Sequence, residues 1–141
     1  MTDDIGEVGA ELRRAVSRLY SRFRSERADG EVSDAALLVL MVLSKRGELS
    51  LSELAAAAHV TLGSMSQTMR RLEQSEFVAK SRGTADRRTV IFRLTEHGAA
   101  AATASRLHRE DWLNGRLAEL TPAERASIAH VAPLLLRLAD S

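Results

Sequence analysis

Between Thr61 and Arg88 the chain gathers residue types suited to holding and reading a nucleic acid duplex. In Leu62-Gly63-Ser64-Met65-Ser66-Gln67-Thr68-Met69-Arg70-Arg71-Leu72 the apolar Met65, Met69 and Leu72 recur at i, i+4 and i+7, which turns them toward a core. Ser64, Gln67, Thr68 and Arg71 are left on a neighbouring face that carries no acid. A glutamine side chain presents the donor and acceptor that match adenine in the major groove, and Ser or Thr hydroxyls read several bases. Thr61 can cap this helix, and the small Gly63 and Ser64 in its first turn leave backbone N–H groups open to a phosphate. Arg70 and Arg71 suit phosphates, and Ser66 and Lys80 complete the polar set. The plainer alternative for Gln67 is a solvated helix residue.

A second cluster lies at Asp86-Arg87-Arg88-Thr89, between two β-like runs, Phe77–Arg82 and Thr89–Leu94. A glycine-containing polar loop, 83–88, joins them as a β-hairpin. Two guanidiniums at the tip of a ribbon have the reach and charge to enter a narrow minor groove. Asp86 would be repelled by DNA unless paired, and Arg88 is its expected partner. The alternative is a loop of solvated charges.

Other chemistry lacks its residues. The chain has no cysteine, which removes disulfides, thiolate metal ligation and thiol redox switching. His59, His97, His108 and His130 form no metal-ligand spacing, although His108 and Asp111 lie one turn apart. His59, at the end of the helix before the reading helix, is read as structural or as a weak backbone contact. No phosphate-binding glycine loop or nucleophile elbow is present, so the sequence gives no enzyme and no cofactor. Stacking aromatics for RNA are also scarce, at 4% of residues.

Net charge is only +1, but it is unevenly spread. Residues 61–94 hold seven cations against three acids, whereas the segments on either side are slightly acidic. A localised electrostatic footprint and chance clustering on a solvated face both fit that pattern.

At 141 residues, 45% hydrophobic and 28% charged, the sequence reads as a single domain with a sizeable core. No apolar run approaches the ~20 residues of a membrane span, and the acidic N-terminus lacks the order of a secretory signal. A cytoplasmic protein with no membrane partner is expected. Ile5, Val8, Leu12, Val16, Leu19 and Phe23 form one stripe on a helix predicted over 3–27, ended by Asp29-Gly30. Ser33 caps a second helix, 34–45, whose Ala-Ala-Leu-Leu-Val-Leu-Met-Val-Leu run is apolar all round and is expected to be buried on every face. Leu49-Ser50-Leu51 is extended, and Ser52 caps a short helix over 53–59. Leu62–Gln74 is the reading helix, and after the hairpin a long helix runs from Thr95-Glu96 to about Leu120. Thr121-Pro122-Ala123-Glu124 opens the last helix, with Pro133 as an expected kink. The order predicts a mainly α fold with a small β-hairpin wing, that is, a winged helix-turn-helix between long flanking helices.

Gly47-Glu48-Leu49-Ser50-Leu51-Ser52-Glu53-Leu54-Ala55, Val60-Thr61, Ser64-Met65-Ser66 and Leu72-Glu73 occur in order, followed by Asp86-Arg87-Arg88-Thr89 and Leu94-Thr95-Glu96-His97-Gly98. With that ordered set the sequence resembles the MarR (multiple antibiotic resistance regulator) family of bacterial transcription factors over nearly its whole length. The wing fits the family's Asp-x-Arg-Ser/Thr pattern, and its sequel fits Leu-Thr-x-x-Gly. Two positions depart from the family. Gln67 stands where arginine is usual, and Ser75-Glu76 replaces a turn glycine, so Glu76 needs a left-handed or altered conformation.

The resemblance implies a single domain, 1–141, with 31–94 as the DNA-reading unit and 1–30 and 95–141 as helical dimerisation regions. It implies a homodimeric repressor on a pseudo-palindromic operator, and the uncovered apolar stripes of the terminal helices independently favour pairing. It also implies release by a small, frequently aromatic, anionic ligand bound between the dimer helices and the reading unit. Tyr20, Arg24, Met41 and Trp112 are the candidates for that pocket, with core or surface roles as the alternative. A winged helix used for protein interaction and a non-specific architectural DNA binder are the competing functions.

Overall fold

The computed structural model describes residues 4–27, 32–83, 85, 86 and 88–141. Helix α1 (Ile5–Ser25) starts where the Asp4 carboxylate accepts the Gly6 N–H at 2.8 Å. It is shorter at both ends than the predicted 3–27, and the Asp29-Gly30 stop lies outside the described residues. Helix α2 (Asp34–Arg46) is capped by Ser33, and its C-terminus closes on Gly47 at φ 82°, a backbone region glycine enters without steric cost. Strand β1 (Leu49–Ser50) leads directly into α3 (Leu51–Ala58). Helix α4 (Leu62–Gln74) is capped by Thr61, as expected. Strands β2 (Val78–Arg82) and β3 (Val90–Leu94) form the hairpin, and α5 (Glu96–Ala118) and α6 (Pro122–Ala139) complete the chain.

The three strands pair antiparallel in the order β1-β3-β2, with Leu49 opposite Phe92 and Val78 opposite Leu94. The hairpin is thus stitched to the helical body through β1. Strand β2 starts one residue later than predicted because the Phe77 N–H is spent on Leu72 O at 2.9 Å, closing the end of α4.

The core joins Leu37, Val39, Leu40 and Leu43 of α2 to Leu54 of α3, Met65, Met69 and Leu72 of α4, Val78 and Phe92 of the sheet and Ala102 of α5. Helix α2 is therefore the hub. Its burial on every face is not observed, however, because Leu38 and Met41 are each 44% exposed. The other elements pack on one side of α2 and leave the strip through Leu38 and Met41 over open clefts.

The cap of α3 also differs from expectation. It is Ser50, whose Oγ accepts the Glu53 N–H at 3.2 Å while Glu53 Oε1 accepts the Ser50 N–H at 3.1 Å. Ser52 lacks a glutamate three residues on, so it cannot build this reciprocal cap. Thr121 and Glu124 form the same device at α6, with Pro122 in its first turn. Pro133 sits inside α6 without ending it. Neither α1 nor α6 buries a single residue, so both leave their apolar stripes open.

Candidate nucleic-acid interface

The turn between α3 and α4 sets the reading helix. His59 takes a left-handed conformation (φ 54°, ψ 44°) as the cap of α3, which fits the structural role read for it. The Val60 N–H returns to Ala55 O at 3.1 Å, and Thr61 Oγ1 accepts the Ser64 N–H at 3.1 Å. The chain thus enters α4 with one first-turn N–H satisfied by its cap and no acid in that turn.

Met65, Met69 and Leu72 are buried, fixing the rotation of α4 as the spacing predicted. Gly63, Ser64, Gln67, Arg70 and Arg71 are exposed, and Ser66 and Thr68 are half-buried. A Cβ at Gly63 would meet nothing within 4 Å, so that position stands against open space. The Thr68 hydroxyl donates to Ser64 O at 3.3 Å, which commits its proton to the helix and leaves its lone pairs as acceptors. Among the described residues Arg70 and Arg71 make no ion pair. Lys80 does: its Nζ lies 3.4 Å from Glu73 Oε2, so part of its charge is neutralised within the fold.

The loop beyond β2 is cinched by its own backbone. The Gly83 N–H donates to Thr89 O at 2.8 Å, and the Thr89 N–H donates to Asp86 O at 3.1 Å. Asp86 does meet Arg88, but through the main chain: its Oδ1 accepts the Arg88 backbone N–H at 2.9 Å. The carboxylate fixes the tip in this way and leaves the exposed Arg88 guanidinium to project. Arg87 lies outside the described residues.

The four ligand candidates do not converge. Tyr20 borders a cleft of about 300 Å³ with Asp34 and Leu38 of α2, Val60, and Ser64 and Thr68 of α4. On its other side Tyr20 shares a shallow hollow along α1 with Arg24, whose guanidinium lies 6.0 Å from the Tyr20 ring centre. Met41 opens instead on a separate cavity between α2 and α5 with Lys45, Leu94 and Arg106. Trp112 packs edge-on against Phe23 at 5.4 Å between ring centres, with the Arg22 and Arg116 guanidiniums over its faces. Spacing along single helices could not show which helix faces which.

Two residues outside the sequence-based set stand out in the structure. Leu62, in the first turn of α4, is 54% exposed; its spacing from Met65 and Met69 places it only at the edge of the apolar stripe. Arg109 of α5 is 14% exposed and reaches across to α2, donating to Val32 O at 3.0 Å and pairing with Asp34 at 3.1 Å. An arginine on a long helix gives no sign in sequence of a partner 75 residues away.

The sequence profile described as the MarR family matches residues 32–90, the segment from just before α2 to the first residue of β3. Over 140 residues, 99% of this chain and 98% of the relative, the sequence is 31% identical to an HTH-type transcriptional regulator of Mycobacterium tuberculosis. The chain belongs to the MarR family. It is therefore a DNA-binding transcriptional regulator with the mainly helical winged-helix fold of that family. It is also 30% identical over 135 residues to the HTH-type transcriptional repressor NicR of Pseudomonas putida, spanning 96% of this chain and 84% of NicR. The solved structure of Bordetella bronchiseptica BpsR, whose DNA binding is regulated by 6-hydroxynicotinic acid, superposes with a TM-score of 0.74 at 30% identity, covering 96% of this chain and 99% of that one.

Within the MarR pattern, the departure at Ser75-Glu76 is absorbed by the backbone. Glu76 adopts φ 60°, the left-handed turn that glycine would supply. The Leu-Thr-x-x-Gly sequel explains how it is held. Thr95 Oγ1 donates to Glu76 O at 2.7 Å, the Thr95 N–H donates to Phe77 O at 3.1 Å, and the Gly98 N–H donates to Thr95 Oγ1 at 3.0 Å. A Cβ on Gly98 would fall 2.0 Å from Phe77 O, so only glycine lets α5 start this close to the hairpin. No helix is long and apolar enough to cross a membrane among the described residues.

Proposed function

We propose that this MarR-family regulator acts as a homodimeric repressor, occupying a pseudo-palindromic operator and released by a small aromatic or anionic ligand. The observation that carries the reading is the acid-free exposed face of α4, set beside an arginine-bearing hairpin tip fixed by Asp86. In this reading Gly63, Ser64 and the Thr61 cap meet phosphate or base edges at the head of α4, and Ser66, Gln67 and Thr68 face bases. Arg70, Arg71 and Lys80 neutralise phosphates, and Arg87 and Arg88 enter the minor groove. Residues 31–94 form the reading unit, and 1–30 with 95–141 form the pairing region. The bare apolar stripes of α1 and α6 support that division, because a second copy would cover them and set two reading helices about one DNA turn apart. The similarity to NicR supports repression over activation.

For the ligand, the cleft beside Tyr20 supports an effector that acts on α4 directly, since Ser64 and Thr68 form part of its wall. BpsR, regulated by a hydroxylated aromatic acid, is a relative of the right kind. The test is a binding titration at two salt concentrations, using the DNA next to the protein's own gene and a random duplex of equal length. Tight, salt-sensitive, promoter-preferring binding of two subunits per site is expected. Equal binding to both duplexes would replace the operator reading with an architectural one, and no binding to either would favour a protein partner.

A further inference from the structure

Leu62 is the most exposed large apolar side chain among the described residues of 32–94. The other exposed apolar side chains of that segment each border a cavity within the fold. Leu38 and Val60 line the Tyr20 cleft, Met41 lines the α2–α5 cavity, and Val90 lines the groove between α4 and the hairpin. Leu62 borders none of these. It stands at the first position of α4, beside the open Gly63 and ahead of Ser64 and Gln67.

An isolated exposed leucine on a protein surface needs no explanation. This one occupies the turn of a recognition helix that meets base edges most closely, at the edge of the buried Met65–Met69 stripe and next in sequence to the exposed Gly63 and Ser64. The one apolar group that DNA presents in the major groove is the 5-methyl of thymine. We propose that Leu62 is a specificity-determining residue that packs on a thymine methyl in each half-site. The inference rests on the operator reading above and adds an apolar contact to the hydrogen bonds available from Gln67. The exposed leucine methyls lose water against the thymine methyl, and cytosine or uracil at that position offers no equivalent surface.

The experiment uses the full-length protein and a duplex selected by it from a randomised pool. Each thymine of the half-sites is replaced in turn by deoxyuridine, which deletes the 5-methyl and keeps every hydrogen-bonding group. The wild-type protein should lose affinity about fourfold at one thymine per half-site, the effect of roughly one buried methyl. Leu62→Ala should bind the thymine and deoxyuridine duplexes equally at that position, with unchanged circular dichroism. Gln67→Ala should still discriminate between them. Indifference of the wild type to deoxyuridine at every position overturns the proposal, as does an unchanged thymine-to-deoxyuridine ratio in Leu62→Ala. Failure to select any preferred duplex overturns the operator reading itself, which is a distinguishable result.

Discussion

Thr95 holds three backbone positions with one side chain and one amide: it bonds Glu76 O and Phe77 O and accepts from Gly98 N–H. That clasp keeps Glu76 left-handed, a conformation that costs a residue with a Cβ about 1–2 kcal/mol. Glu76→Gly should therefore raise stability by about 0.5–1 kcal/mol after the entropy of the added glycine is counted, a gain of a few degrees in thermal unfolding. The two capping glutamates make a pH prediction. Hydrogen bonds from the Ser50 backbone and side chain hold the Glu53 carboxyl below its ordinary value, and those from Thr121 do the same for Glu124. A depressed folded pKa gives stability that is present above the unfolded value and is lost as pH falls through the folded one. Acid unfolding of Glu53→Gln should accordingly depend less on pH than that of the wild type, and carboxyl chemical shifts should titrate low for both residues. At the reading surface, Gln67→Ala should relax preference at one base per half-site by about 1–3 kcal/mol. Much at this scale was legible: the i, i+4, i+7 spacing placed Met65, Met69 and Leu72 inside, and the family resemblance, with its usual glycine at that turn, foretold Glu76. What escaped was pairing across space. Glu73 on Lys80 and Asp34 on Arg109 leave no local pattern, because a salt bridge is set by how two elements pack.

The elements themselves were mostly readable because their ends carry strong local signals. Thr61, Thr95 and Thr121 each stand as N-cap where expected, and Glu124 completes a reciprocal cap. The errors arose where two local signals compete. Ser50 and Ser52 both resemble caps, and Glu53 decides for Ser50 by its spacing. The all-apolar run of α2 read as buried throughout, yet a helix packed on one side by α3, α4 and α5 keeps a bare strip at Leu38 and Met41. The contact of α5 with the hairpin start gives a sharp test. Gly98→Ala forces a methyl group onto Phe77 O and should destabilise by about 1–3 kcal/mol or more, measured by denaturant unfolding. Arg109 ties α5 to the start of α2 in a mostly buried pair. Arg109→Met leaves Asp34 half-buried and unpaired, and should cost about 2–3 kcal/mol, with the Asp34→Asn double variant recovering part of the loss.

For the whole molecule, the sequence showed amphipathic stripes on the terminal helices that the rest of the chain could not cover, and in the structure neither α1 nor α6 buries a residue. In the proposed homodimer they find their cover in a second copy. Leu19→Asp in α1 combined with Leu134→Asp in α6 should shift sedimentation equilibrium toward the protomer and abolish operator binding, with the Leu40 core intact. A wild-type mass corresponding to one chain at micromolar concentration would remove the dimer. The same bare helices carry a kinetic consequence. In the proposed homodimer their amides would gain protection from the bound partner, so hydrogen exchange over residues 5–25 and 122–139 should quicken on dilution while the buried core of α2 holds. In that assembly dilution would loosen two helices alone. Freshly separated protomers would be open to proteolysis at both ends of the chain, and operator occupancy would lapse faster than growth alone dilutes the protein.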